Sequence, residues 1–367
     1  MSLTNGSLTS FRTLGRSGLV VSPLALGTMT FGTARWGSPD DVSRAVFDAY
    51  VDAGGNFVDT ADVYAGGRSE ELVGQYVAER GLRDQIVLAT KFGFNAAAPN
   101  PHAGGNGRKN VYRALDGSLR RLKTDYVDLY WLHVWDAVTP ADEVLQTLGD
   151  LVRAGKVRYF GLSDMPAWYA TKMATLAAAH AVPGPVAMQL EYSLVERTIE
   201  REYIPAARDL GMGVVPWSPL AGGFLAGKYQ RPAAGAAPSG EGRLAGANPF
   251  GATKFTDRNW RVLDTLRTVS AEVGRPPAQV ALAWVAGRPG IGASIIGASR
   301  PEQLRDNIAS LEVALTAEQR RALDEASAPE PTFPYPIFEP AVNRMIFGGH
   351  DVAGFHTRPA WEWRAGA

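Results

Sequence analysis

From residue 24 onward, short apolar runs rich in β-branched and aromatic residues alternate with longer amphipathic stretches, and the alternation recurs eight times. The runs at 24–27, 56–60, 86–91, 127–133, 157–163, 186–190, 213–217 and 294–297 are too brief for helices and predict strands. Between them, helical periodicity predicts helices at 41–53, 69–80, 111–122, 141–154, 167–180 and 199–210, several ending in glycine or followed by proline. Strands separated by helices make a parallel sheet with crossovers. Eight such units predict an α/β fold of the (β/α)8 TIM-barrel type, because a doubly wound sheet usually has fewer strands. Ahead of the pattern, residues 11–21 predict a β-hairpin turning at Gly15-Arg16-Ser17-Gly18 and placed to plug or cap the sheet. The chain, 1–367, is expected to be one barrel domain with its core over about 11–326 and a C-terminal tail at 327–367. Two stretches break the rhythm: 230–251, rich in Gly, Ala and Pro, and 328–367, which mixes prolines with aromatics from Phe333 to Trp363. Each is either a loose connector or a segment flanking the barrel mouth. The aromatic density of the second favours an ordered tail.

Charge adds no strong long-range field: 37 Lys and Arg balance 37 Asp and Glu. Attraction to nucleic acid or to an anionic membrane is therefore not expected. No run approaches the ~20 apolar residues that span a bilayer, and the N-terminal stretch lacks the apolar region of a secretory leader. A cytoplasmic protein acting on a small molecule is the expectation, with a homo-oligomer allowed. The absence of cysteine removes disulfides, thiolate metal sites and cysteine nucleophiles. His102, His133, His180, His350 and His356 lack ligand spacing, so no metal is expected.

Functional groups of a TIM barrel gather where the strands end, and the residues closing the apolar runs are unusually polar. The second run ends in Asp59-Thr60, the third in Lys91, the fourth in His133, the fifth in Ser163-Asp164, the sixth in Gln189 and the seventh in Trp217-Ser218. Taken singly, Asp59 and Lys91 could brace neighbouring strands as an ion pair and His133 could be a hydrogen-bonded core residue. Tyr64, five residues past Asp59, changes that reading. Phenol, ammonium, carboxylate and imidazole on one rim form a proton-transfer device.

The segments Asp59-Thr60-Ala61-Asp62-Val63-Tyr64, Ser69-Glu70-Glu71-Leu72-Val73-Gly74, Ala89-Thr90-Lys91, Leu132-His133, Gly155-Lys156-Val157-Arg158, Gly161-Leu162-Ser163, Trp217-Ser218-Pro219-Leu220 and Ile296-Gly297-Ala298-Ser299 resemble the aldo-keto reductase superfamily, over most of residues 11–326. The resemblance implies an NADPH/NADP+-dependent oxidoreductase that reduces an aldehyde, ketone or keto sugar to the alcohol. It implies a hydride from the nicotinamide while Tyr64 protonates the carbonyl oxygen. A free phenol has a pKa near 10. A Lys91 ammonium at about 4 Å would favour the phenolate by up to ~4 kcal/mol at an effective dielectric near 20. Asp59 would hold Lys91, and His133 would donate to the carbonyl oxygen.

The same resemblance implies that Trp217 stacks on the nicotinamide and that Ser163, Asp164 and Gln189 meet its carboxamide. Asp164 stands where many relatives have Asn and, when ionised, can only accept hydrogen bonds. Ser218, Pro219, Leu220, Gly222, Leu225 and Lys228 would lie over the pyrophosphate, with backbone amides from Leu220 to Leu225 available to it. Gly297, Ser299, Arg300, Gln303 and Asn307 would meet the adenosine 2′-phosphate, which favours NADPH over NADH. The Gly222–Lys228 stretch mimics the phosphate-binding loop of an NTPase, but Tyr229 stands where Ser or Thr must meet magnesium. A hydrolase reading lacks a G-x-S-x-G elbow. Trp135 and Asp136, with the loops 94–108 and 230–251, are the expected substrate-pocket residues. The chain is also similar to potassium-channel β subunits, so a cofactor-binding regulatory subunit is the alternative. Its long C-terminal tail counts against that reading.

Overall fold

The computed structural model describes residues 6–33, 37–231, 239–240, 244, 251–338 and 340–352. It opens with the predicted hairpin, β1 (Arg12–Thr13) paired antiparallel to β2 (Val20–Val21). The eight repeated strands are β3 (Leu24–Gly27), β4 (Phe57–Asp59), β5 (Val87–Phe92), β6 (Val127–Leu132), β7 (Val157–Ser163), β8 (Ala187–Glu191), β9 (Gly213–Trp217) and β12 (Ser294–Ile296). Between the last two lies a small antiparallel pair, β10 (Tyr229–Gln230) and β11 (Ser239–Gly240). The eight strands form one parallel sheet in the order β12-β3-β4-β5-β6-β7-β8-β9. A parallel bridge from Val214 to Ile291, with Gly292 N donating to Val214 O at 2.8 Å, brings the two edges together. The result is the (β/α)8 barrel that the repeat predicts.

Side chains alternate across each strand, so residues two apart share a face. Ala25, Phe57, Val87, Ala89, Leu129, Trp131, Ala187 and Val215 form one apolar cluster inside the barrel. Leu14, Leu19 and Val21 of the hairpin belong to that cluster, so the hairpin plugs the end where the strands begin. Burying a side chain such as Leu14 contributes roughly 1.5–3 kcal/mol. Trp131 needs the neighbouring strand to stay bare: a Cβ on Gly161 would lie 2.3 Å from its ring. Glycine at 161 therefore lets the largest side chain of the interior fit.

Helices cover the outside within a few residues of the predicted spans, among them Arg68–Glu79, Arg108–Leu122, Ala141–Arg153 and Ala167–Ala179. The stretch predicted at 199–210 divides into a 3-10 turn, Thr198–Glu200, and a helix, Tyr203–Leu210. Two helices, Asp257–Val273 and Pro277–Ala286, fill the crossover from β9 to β12. The tail carries a 3-10 turn, Tyr335–Phe338, and a short helix, Pro340–Ile346. Arg201 ties its beginning down by donating to the Glu330 carbonyl and, at 2.5 Å, to Thr332 Oγ1. Residues 353–367 and most of 230–251 lie outside the described residues, and with them Trp363 and His356. Among the described residues, no helix is long and apolar enough to cross a membrane. None of their His, Asp and Glu side chains form a group of three that could hold a metal ion.

Candidate active site

The two-residue period explains why polar groups meet at the other end of the barrel. Asp59, Lys91, His133, Gln189 and Trp217 each lie two residues past an interior residue: Phe57, Ala89, Trp131, Ala187 and Val215. Each therefore points inward, one layer above the apolar plug, where the strands end. His133 sits just beyond β6, held by its N–H to the Phe92 carbonyl at 2.8 Å.

Lys91 is fully buried and Asp59 is 2% exposed. Removing both charges from water costs several kcal/mol each, and attraction offsets that only when the remaining hydrogen-bonding groups are satisfied. They are. The ammonium has three donors, and these reach Asp59 Oδ2, the Thr60 carbonyl at 2.7 Å and the Tyr64 hydroxyl at 3.2 Å. Asp59 Oδ1 accepts from Gln189 Nε2 at 3.0 Å. Burial works to lower the Lys91 pKa, but Asp59 and Tyr64 outweigh it and raise the value above the ordinary one. Lys91 is thus a fixed cation against the phenol oxygen.

His133 packs edge-on against Tyr64, with ring centroids 5.8 Å apart, and against Phe94 at 4.8 Å. Burial, and then the Lys91 charge, hold its pKa well below the ordinary value, so the imidazole is neutral. Its Nδ1 is buried and has no hydrogen-bond partner. Phe94, 46% exposed, forms the wall of the mouth over His133. In the sequence Phe94 is only the edge of a loop. Nothing in its local pattern marks it, because its contact with His133 spans two different strands.

Around this centre the expected cofactor residues form two groups. Ser163, 1% exposed, has a hydroxyl with no partner. Asp164 takes a left-handed backbone, φ +43°, and accepts from Trp217 Nε1 at 3.0 Å. As a residue Asp164 is exposed at the rim of the barrel. Lost solvation, opposed by that hydrogen bond, pushes its pKa up to about 6. Asp164 therefore fixes the indole plane. The Gln189 amide nitrogen is committed to Asp59, which leaves its carbonyl end as the part free to meet a carboxamide. After β9 the chain turns tightly, with Ser218 at φ +53°, Gly222 at +66° and Gly223 at +93°. The amides of Ala221, Gly222, Gly223 and Leu225 bond back to Ser218 and Leu220. Those four donors are used inside the turn. Pro219 and Leu225 are buried, Leu220 is half-buried, and Lys228 is exposed.

Beyond β12, Ser299 N and Oγ meet Gln303 Oε1 at 3.0 and 3.2 Å, and Asn307 Nδ2 donates to the Gly297 carbonyl at 3.2 Å. Gln303 and Asn307 share one face of the helix Pro301–Ile308, as their spacing predicts. Arg300 is exposed at its N-terminus and makes no ion pair among the described residues. A Cβ on Gly297 would meet nothing within 4 Å. The orphaned Ser163 hydroxyl, the braced Trp217, the open space at Gly297 and the free guanidinium of Arg300 fit a nicotinamide dinucleotide laid across the mouth.

Of the expected substrate residues, Trp135 packs edge-on against Trp168 at 5.7 Å and near Tyr169 at 5.9 Å. Trp168 is 58% exposed and was not legible from sequence, since it lies on the next strand's helix. Asp136 serves a different purpose. Its oxygens accept from Asn106 N at 2.8 Å, Val138 N at 3.1 Å, Thr139 N at 2.9 Å and Thr139 Oγ1 at 2.6 Å. These bonds outweigh burial and lower its pKa. A carboxylate so engaged staples two loops.

Comparison with known proteins agrees with the geometry. Residues 23–328 match the family model described as the aldo/keto reductase family. The chain is 39% identical over 320 residues to an uncharacterized oxidoreductase, YrpG, of Bacillus subtilis, covering 85% of this chain and 94% of that protein. It is 36% identical over 310 residues to a probable voltage-gated potassium channel subunit beta of Oryza sativa subsp. japonica, covering 83% and 91%. It is 32% identical over 363 residues to an aryl-alcohol dehydrogenase [NADP(+)] of Phanerodontia chrysosporium, covering 93% and 91%. The barrel, the rim of acid–base groups and a family match over most of the chain lead to one conclusion: the protein belongs to the aldo/keto reductase family.

Proposed function

We propose that the protein is an NADPH-dependent reductase that takes an aldehyde, ketone or keto sugar to its alcohol, with Tyr64 as general acid. The observation that carries this reading is the Lys91 ammonium shared among Asp59, the Thr60 carbonyl and the Tyr64 hydroxyl. The bound nicotinamide would supply the hydride. Tyr64 would give its O–H proton to the carbonyl oxygen, and the Lys91 charge would stabilise the phenolate left behind. Neutral His133 would donate from its other ring nitrogen, Nε2, to the same oxygen. Trp217, held by Asp164, would support the nicotinamide ring, with Ser163 and the Gln189 carbonyl on its carboxamide. Arg300, with Ser299, Gln303, Asn307 and Gly297 beside it, would take the 2′-phosphate. The aromatic walls Phe94, Trp135 and Trp168 favour a flat aryl carbonyl, in keeping with the relative named an aryl-alcohol dehydrogenase [NADP(+)].

The test is NADPH oxidation with a panel running from benzaldehydes to keto sugars, repeated with NADH. Turnover of the aryl compounds with preference for NADPH is expected. Binding of NADPH without turnover of any carbonyl would instead support a cofactor-sensing subunit, the reading favoured by the relative named a potassium channel subunit beta.

A further inference from the structure

Twelve large apolar side chains stand exposed among the described residues, and seven of them lie between Phe333 and Val352. The tail that carries them is anchored at its base. Arg258 Nη2 donates to the Ser327 carbonyl at 2.7 Å and to the Ala328 carbonyl at 3.1 Å. Arg201 holds the Glu330 carbonyl and Thr332 Oγ1, and the Tyr335 hydroxyl donates to Glu202. Past these anchors come the 3-10 turn Tyr335–Phe338 and the helix Pro340–Ile346, and neither buries a single residue. Phe333, Phe338, Met345 and Ile346 are each at least 67% exposed. A helix of seven residues does not persist in water on its own propensity. Its stability has to come from packing, and the barrel of the same chain buries none of it.

The distribution of the apolar residues decides what can cover them. Successive residues turn by about 100° around a helix. Phe347 continues the helical pattern, its N–H donating to the Asn343 carbonyl at 3.1 Å, so Met345, Ile346 and Phe347 point to different sides. Folding back onto the barrel would hide one side and leave the others in water. Charge narrows the choice further. Between Phe333 and Val352 the charged residues are Glu339, Arg344 and Asp351, and Arg344 pairs with Asp351 at 3.4 Å. A membrane surface is met by a face rich in lysine and arginine, and this segment has a single arginine. The chain as a whole carries no net charge, so two copies do not repel each other.

We propose that residues 333–352 form an interface with a second copy of this chain, the two tails packing against each other around a two-fold axis. A two-fold contact sets the same patch on both partners, so an apolar surface with no complement on its own barrel is complemented by its copy. The area agrees. At roughly 150–250 Å2 for a large side chain, the exposed parts of the seven residues amount to roughly 800 Å2 per copy, about what each partner of a standard stable interface contributes. Tyr335 and Phe338, edge-on with ring centroids 5.9 Å apart, supply the aromatic anchors on which interface energy concentrates. The contact uses no residue of the barrel mouth, so it is independent of the reductase reading.

The test is sedimentation of the full-length protein at micromolar concentration, where a dimer is expected. Phe338→Asp and Ile346→Asp, made separately, alter side chains that are exposed in the single chain, so circular dichroism should not change. Each puts a carboxylate into the contact twice and should weaken dimerisation at least ~100-fold. The chain has no cysteine, so one introduced residue is a clean probe. A bismaleimide should join His350→Cys in the tail into a covalent dimer and leave Val138→Cys, on an exposed loop of the mouth, uncoupled. A wild-type monomer, whether free or captured through its tail on anionic lipid vesicles, would overturn the proposal. So would a dimer indifferent to both aspartate variants, or equal cross-linking from the two cysteine positions.

Discussion

Lys91 and Arg197 are both buried cations paired with buried carboxylates, yet their surroundings differ in what is left open. Arg197 and Glu200, each 2% exposed, form a two-point pair at 2.8 and 2.9 Å. Arg197 Nη1 reaches Ser327 Oγ at 2.7 Å and the Asp324 carbonyl at 2.9 Å. Glu200 also takes the Tyr192 hydroxyl at 2.5 Å, and Arg288 joins Tyr192 at 3.2 Å to Asp324 at 3.1 Å. Every group there is answered from within, and the cluster clamps the segment after β8 to the helices Pro277–Ala286 and Ala317–Ala326. Around Lys91 the ammonium itself is satisfied, but the Ser163 hydroxyl and His133 Nδ1 next to it are not. Buried charge alone does not mark a site. Unfilled hydrogen-bonding capacity at the open end of the barrel does.

Substitutions can separate the two clusters. The largest effect is expected from Tyr64→Phe, which should lower kcat by roughly 10²–10⁴-fold while cofactor binding and the melting temperature hardly change. Steady-state kinetics beside cofactor titration checks this, and near-normal turnover would remove Tyr64 from the acid role. Glu200→Ala should do the reverse. Leaving Arg197 without its partner should destabilise the protein by about 3–5 kcal/mol in denaturant unfolding, with kcat of the folded fraction unchanged. A smaller effect is expected at Arg300→Ala: KM for NADPH rising by roughly 10-fold or more, with KM for NADH moving little. Equal changes for both cofactors would exclude a 2′-phosphate contact.

The smallest effect belongs to Asp164. Its pKa is raised in the folded state to about 6 from an ordinary 3.8, so the folded protein holds this proton more tightly than the unfolded chain. The associated stability is present below pH 3.8 and is lost as pH rises through about 6. Below that pH the carboxyl can also donate to a carboxamide, so cofactor KM should fall by roughly 2–5-fold from pH 8 to pH 5.5, less than the gain of one full hydrogen bond. Asp164→Asn should flatten that dependence. A slope that persists in the variant would point to another group.

Much of this was legible in the chain alone. Eight apolar runs of strand length fixed the barrel, because side chains that alternate on both faces of a parallel strand must all be covered. The polar residue closing each run reads as a rim residue for the same geometric reason, which picks out Asp59, Lys91, His133 and Gln189. Tyr64 followed from its distance to Asp59 along the loop. What sequence could not supply was the use of each hydrogen-bonding group once neighbours were in place. Asp136 sits beside His133 in the chain, yet four loop donors claim it. Gln189 turns its nitrogen to Asp59 across the barrel, and the amides after β9 close on their own turn. Phe94 and Trp168 became walls only through contacts between distant segments. Local pattern determines which face a residue takes. Only packing decides whether its hydrogen-bonding capacity is already filled, because that depends on partners whose distance along the chain carries no periodic signal.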